Sequence, residues 1–380
     1  MKYLFICLLF ISNLSFSQIN RCSTDEYRQF LKEKGLLKNQ NDNLVKYRTN
    51  SLSNYTIPVV VHVLYNNPDQ NISDERIFSQ IDVLNEDFNA LNPNIISVPA
   101  EFQSVIGNVG ISFCLLQENL NGESFSGINR VFTNVDQFQG FSDAIKKTNQ
   151  GGVDAWDSEN YLNIWVCDLS GNTLGFATMP GDVTPDLDGV VIDYEFFGVN
   201  SLSSSQYNLG KTATHEIGHY LNLEHIFYAG CSSWDNCSDT PAQSSPTYGC
   251  PDSVQTSCQT NDMTMNYMDY TDDACMSMFT VCQANKMIDA LVNLRPQLNG
   301  ECSDSSFEES TFIAPLFYPN PASNLIRTSV SNELVSIYSI YGKKILTKYV
   351  DNSAVIDITQ LSSGPYFIHI CDEWHKIIKN

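Results

Sequence analysis

The chain has 380 residues, 42% of them hydrophobic and 17% charged, with a formal net charge of −22. That length exceeds what one core usually organises, and the composition excludes a disordered polyelectrolyte. The acidity weighs against nucleic acid or an anionic membrane as a partner; it suits divalent cations or cationic peptides, and equally the plain solubility of an exported protein.

The chain opens MKYLFICLLFISNLSFSQIN. One lysine, an apolar run from Tyr3 to Ile11 and small residues up to Ser17 form an export signal over 1–17, with cleavage expected after Ser17. The run is too short to span a bilayer and no later stretch reaches that length, so no transmembrane segment is expected. Residues 18–50 are polar and lysine-rich, with a short helical pattern from Tyr27 to Leu37, and read as a pro-segment. IPVVVHVLY (57–65) is a β-branched run bounded by polar clusters, the signature of a buried strand, with His62 inside it as a core histidine. Ser73 can cap a helix whose apolar residues Ile77, Ile81, Leu84 and Phe88 recur at helical spacing. ISFCLLQ (111–117), YLNIWVCDL (161–169) and VVIDY (190–194) read as further strands, and the stretch 151–160, opening Gly-Gly, as a loop. A second long helix starts near Leu209 and a third covers Gln283 to Leu294. Together these elements predict an α+β domain over 51–302, a mixed sheet carrying helices. A polar linker (303–313) leads to short alternating runs over 314–380, LVSIYSIYG, AVIDITQL and GPYFIHI, which predict a small all-β sandwich.

Six of the twelve cysteines, Cys231, Cys237, Cys250, Cys258, Cys275 and Cys282, crowd the stretch between the last two helices. In an exported chain such a cluster reads as a disulfide framework rather than a set of metal thiolates.

Half of the six histidines fall in THEIGHYLNLEH, residues 214–225. Residues four apart share a helix face, so His215 and His219 can aim at one zinc ion. Glu216 projects beside that ion, where it can take a proton from a water that the metal activates. Catalytic zinc takes three protein ligands and keeps a position open, and His225 is the candidate third. On a straight helix His225 would lie about 9 Å further along the axis than His219. The helix must therefore stop and turn back, and Asn222 stands where that reversal is needed, a residue that accepts left-handed backbone.

HExxHxxNxxH followed by NYMDY resembles the metzincin metallopeptidases. DTPAQ (239–243), GCP (249–251), NYMDYTDDACMSMFT (266–280) and the flanking cysteines resemble their pappalysin family, over roughly residues 55 to 300. That resemblance implies a secreted zinc endopeptidase with a cleft under a mixed sheet. It makes Met268 the methionine of a tight turn beneath the metal, and Tyr270 a hydrogen-bond donor to the oxyanion of the tetrahedral intermediate. It makes LGFATMP (174–180) an edge strand that pairs with a bound peptide, a plain surface strand being the alternative. It implies the pairs Cys231–Cys258 and Cys250–Cys275 and leaves Cys237 with Cys282 as an extra bridge. Asp235, Asp239 and Thr240 become candidates for a structural calcium, or for a solvated turn. Arg21-Cys22-Ser23-Thr24 resembles the cysteine motif of pappalysin-type pro-segments, in which a thiolate blocks the open zinc position; serine stands where that motif has glycine, and a disulfide from Cys22 to Cys302 or to another unassigned cysteine is the alternative. Activation by cleavage after Arg48 is then expected.

YPNPASNLI, SIYGKKI and LSSGPYFIHI, with Lys376 and Lys379 near the end, resemble type IX secretion sorting domains. This implies export machinery as a partner and a secreted or surface-attached product. The reading is thus a latent zinc endopeptidase acting on proteins or peptides. Its alternative is a non-catalytic zinc-binding surface adhesin on a peptidase fold, against which the intact Glu216 and three histidines weigh.

Overall fold

The computed structural model describes residues 20–38, 55–300 apart from 120, 202, 229, 233 and 234, and 317–380 apart from 319–321, 329–332, 340–342, 351–354, 371 and 372. The export signal, Arg48, Cys302 and the linker lie outside these residues. The chain divides into two units at Ser303/Asp304.

In chain order the first unit carries α1 (Thr24–Glu33), β1 (Tyr55–Tyr65), α2 (Asp74–Phe88), β2 (Ile106–Gly107), β3 (Ile111–Leu115), β4 (Ile128–Phe132), β5 (Leu162–Cys167), β6 (Gly175–Ala177), β7 (Val190–Asp193), α3 (Lys211–Tyr220), β8 (Thr256–Ser257), β9 (Thr260–Asn261), β10 (Phe279–Thr280) and α4 (Val281–Asn293). Its main sheet runs β3-β1-β5-β7-β6, with β4 also on β1. β1 is long enough to pair with β3 along its first half and with β4 along its second, both parallel. Only β6, at the edge, is antiparallel, to β7. Two cores flank the sheet. One face packs Val59, Val61, Ile164 and Ile192 against α2, α3 and α4, and the other packs Trp165, Phe176 and Val191 with Tyr27 and Leu31 of α1. Burial on both faces explains why β1 reads as a continuous apolar run and not an alternating one.

Local chemistry sets the helix boundaries. The Ser73 hydroxyl accepts Arg76 N, and Ile77, Ile81, Leu84 and Phe88 are buried. Thr280 and Gln283 form a reciprocal capping box at the start of α4. α1 begins at Thr24, earlier than the apolar spacing from Tyr27 indicates, with Asp25 and Glu26 in its first turn. His62 lies in the core between Asn163 Oδ1 (2.9 Å) and Asn129 Nδ2 (3.0 Å), and burial lowers it to about 4.

The second unit holds β11 (Phe317–Tyr318), β12 (Leu325–Thr328), β13 (Glu333–Ser339), β14 (Lys344–Val350), β15 (Val355–Asp357), β16 (Gly364–Ile370) and β17 (Glu373–Lys379). They form a three-stranded sheet, β11-β12-β15, and a four-stranded one, β14-β13-β16-β17, around one core that includes Ile326, Ile337, Ile356 and Ile368. No helix among the described residues is long and apolar enough to cross a membrane.

Candidate metal centre and its cleft

α3 starts after Gly210, whose left-handed backbone (φ 77°) carries no capping side chain. The caps come from afar. Asp273 Oδ2 accepts Leu209 N (2.9 Å) and Lys211 N (3.2 Å). Asp87, at the end of α2, accepts Lys211 Nζ, Thr214 Oγ1 and Tyr267 OH, each at 2.7 Å. One buried carboxylate thus ties the histidine-bearing helix to the segment that precedes Met268; burial raises its pKa, and the bonds from Lys211, Tyr267 and Thr214 offset that only in part.

The helix ends at Tyr220, and Asn222 is left-handed at φ 74°. Asn222 N donates to His219 O (2.8 Å) and Leu223 N to Gly218 O (2.9 Å), the paired bonds of a Schellman turn. The chain doubles back and delivers His225 to the helix face. The Nε2 atoms of His215, His219 and His225 lie 3.0 to 3.2 Å apart. Their Nδ1 atoms all face acceptors: Tyr267 O at 2.6 Å, Leu223 O at 2.7 Å and Asp25 Oδ2 at 3.1 Å. Those acceptors place the ring protons on Nδ1, and burial keeps His215 and His219 well below the ordinary imidazole range. Three Nε2 lone pairs therefore converge with no proton between them, a repulsive arrangement unless a cation takes the centre. Nitrogens bound tetrahedrally to zinc at about 2.0 Å stand about 3.3 Å apart. The donor set fits that ion.

The other residues read from the sequence gather round this point. Glu216 is fully buried, and burial raises its carboxyl to about 8. Its Oε2 accepts Thr24 Oγ1 (3.0 Å) and the Cys22 thiol (3.5 Å), while Oε1 is buried without a partner among the described residues. Tyr270 OH is 3.1 Å from His225 Nε2. Met268 lies against Gly218, where an added Cβ would meet its sulfur at 2.6 Å, so a side chain there would have to displace Met268. Asn266 fixes that turn, donating to Gln283 Oε1 of α4 and accepting Met268 N.

Residues 20–24 lie along residues 172–177, the edge segment that ends in β6. Asn20 N donates to Asn172 O, Leu174 N to Asn20 O and Ser23 N to Gly175 O, at 3.0 to 3.1 Å, with a parallel bridge from Asn20 to Thr173. The backbone at this edge thus exchanges hydrogen bonds with a neighbouring segment, which here the chain itself supplies. Cys22 is buried, with its sulfur within 4.8 Å of the three histidine nitrogens. Arg21, beside it, enters a closed pocket: Nη2 is 2.9 Å from Asp273 Oδ1, both side chains are fully buried, and the guanidinium lies 4.6 Å over the Tyr207 ring. The pocket was not foreseen from the sequence. Its two ends are 252 positions apart, and Asp273 carries no spacing signal within DYTDDAC.

Cys231–Cys258 and Cys250–Cys275 are bonded. The expected Cys237–Cys282 bridge is not formed: both are free thiols. Cys282 sits in the first turn of α4 with its amide held by Asp239 Oδ2 (2.8 Å) and its sulfur 3.9 Å from Asn236 O, and the two sulfurs lie side by side without closing. Cys22 is likewise free, which removes the alternative of a disulfide. Asp235 accepts Thr240 Oγ1 and Cys237 N, so two of the calcium candidates close a turn on each other.

Residues 146–292 match the family described as pregnancy-associated plasma protein-A, and residues 316–380 match the secretion system C-terminal sorting domain. An extracellular metalloprotease of Arthroderma benhamiae is 32% identical over 242 residues, covering 61% of this chain and 76% of that protein. Mature mirolysin of Tannerella forsythia, solved in complex with a cleaved peptide, is 44% identical over 66% of this chain and 97% of its own, with a TM-score of 0.63. A promirolysin mutant from the same organism is 39% identical over 73% of this chain and 96% of its own, with a TM-score of 0.66.

Proposed function

The chain belongs to the pregnancy-associated plasma protein-A family of metalloproteases and is secreted or surface-displayed; from this premise we propose a zinc endopeptidase, made latent, that cuts proteins or peptides beside a basic residue. The convergence of three Nε2 lone pairs, each turned inward by an acceptor on its Nδ1, carries the zinc assignment. Zinc held there supplies Lewis acidity toward a peptide carbonyl and a water molecule.

The chain's own residues do the rest. β6 binds the backbone of the substrate as an added strand, as it binds residues 20–23. Glu216 takes the proton from water and passes it to the leaving amine, its Oε1 being open for that exchange. Tyr270 donates to the developing oxyanion, and Met268 keeps an apolar floor beneath the histidines. Asp273, with the Tyr207 ring beside it, neutralises an arginine or lysine side chain in the pocket that Arg21 fills.

Residues 18–50 act as the pro-segment: Cys22, whose sulfur lies within 4.8 Å of the three histidine nitrogens, would be a further ligand to an ion held there, and Arg21 acts as a substrate mimic. The sorting domain addresses the chain to the secretion machinery. The test is hydrolysis of casein by the processed protein, which a chelator should abolish and added zinc restore; hydrolysis that survives metal removal ends the reading. Latency makes its own prediction. Cys22→Ala in the unprocessed chain should raise its activity on a small peptide about tenfold or more, with Arg21 still obstructing the cleft, and unchanged activity with zinc bound would reject the thiol block.

A further inference from the structure

The three imidazoles are oriented by different parts of the chain. His215 donates to Tyr267 O and His219 to Leu223 O, both backbone carbonyls within the peptidase domain. His225 donates instead to a carboxylate, Oδ2 of Asp25, carried by α1. Its remaining surroundings are aromatic: Phe227 stacks on it at 4.7 Å and Tyr270 stands edge-on at 5.1 Å.

α1 is anchored on both sides of Asp25, whose own side chain is about half exposed (48%). Arg28, one turn further on, pairs with Asp182 (2.8 Å) and with Glu224 (3.5 Å), the neighbour of His225. Thr24 is bonded to Glu216 and to Ala177 N. The same short helix therefore touches the residue before His225, the carboxyl beside His215, and His225 itself.

We propose that Asp25 is a positioning residue for the metal: through His225 it fixes the tautomer and tilt of the third ligand, so the precursor holds zinc more tightly than the protein freed of residues 18–50. This rests on the zinc reading above and adds a second role for the pro-segment, that of retaining the ion during export. A carboxylate acceptor makes a charge-assisted bond and raises the basicity of the imidazole that it holds, which a neutral carbonyl does more weakly. Removal of the segment takes away Asp25 together with Cys22.

The test uses the full chain carrying Glu216→Gln, which keeps an acceptor for Thr24 and does not process itself, and measures zinc transfer to a chromophoric chelator. Asp25→Ala should weaken zinc binding about 10- to 100-fold, the usual effect of losing such an outer partner. Asp25→Asn keeps an oxygen acceptor without the charge and should fall between. Glu26→Ala, in the same first turn of α1, removes a helix-terminal charge but no bond to histidine, and should match the parent. The metal-free proteins should share one unfolding temperature, which separates orientation of a ligand from loss of α1. Zinc bound by the parent and held as firmly by Asp25→Ala overturns this inference alone, as does an equal loss from Glu26→Ala; a parent without zinc overturns the function proposed above as well.

Discussion

Replacing Glu216 by alanine will lower kcat/KM of the processed protein on a peptide substrate by about 10³-fold or more, while the chain stays folded and keeps its zinc. The size follows from the loss of a positioned proton acceptor, about 10² to 10⁴ in rate. The retention of metal follows from geometry. Glu216 makes no bond to His215, His219 or His225, and its bonded partners are Thr24 and Cys22. The loss should fall in kcat with KM little changed, because backbone binding by β6 does not involve this carboxyl. Glu216→Gln, which keeps the shape, should be almost as impaired. Activity of either variant within tenfold of the parent, with one zinc bound, would remove Glu216 from the mechanism.

Asp273→Asn should abolish preference for the basic residue, lowering kcat/KM for an arginine-containing peptide about 10²- to 10³-fold. Arg21 forms a fully buried pair with Asp273, and leaving one such charge uncompensated costs about 3 to 5 kcal/mol. Asparagine is the apt replacement. Asp273 Oδ2 also receives Leu209 N and Lys211 N at the head of α3, and an amide oxygen can go on accepting both. A peptide with citrulline in place of arginine supplies the control: it should be poor for the parent protein, and Asp273→Asn should weaken it little further. Additive losses would mean that Asp273 and the substrate cation do not meet.

The cluster of three histidines was legible in the sequence because its logic is local. His215 and His219 are one helical turn apart, and a single residue, Asn222, has to tolerate left-handed backbone for His225 to join them. The helix on Ile77, Ile81, Leu84 and Phe88 and the long apolar strand were legible for the same reason, each written in consecutive residues. What escaped lies across distance. β4 gives no clear alternation, being half-buried, and exists as a strand because the second half of β1 offers it an edge. Asp87 looks like any acidic residue at a helix end until α3 and Tyr267 fold onto it. Cys237 and Cys282 misled in the other direction, since counting thiols in an exported chain cannot tell whether their sulfurs will meet at bonding distance.

The Schellman turn that closes between Gly218 and Leu223 does two jobs: it reverses the chain, and its Leu223 carbonyl orients His219. Surface loops usually absorb an added or missing residue at small thermodynamic expense. This one cannot. A single-residue insertion between His219 and His225 would shift one imidazole and unlatch another at once, so the spacing is a fixed ruler, and any engineering of the protein has to leave it uncut.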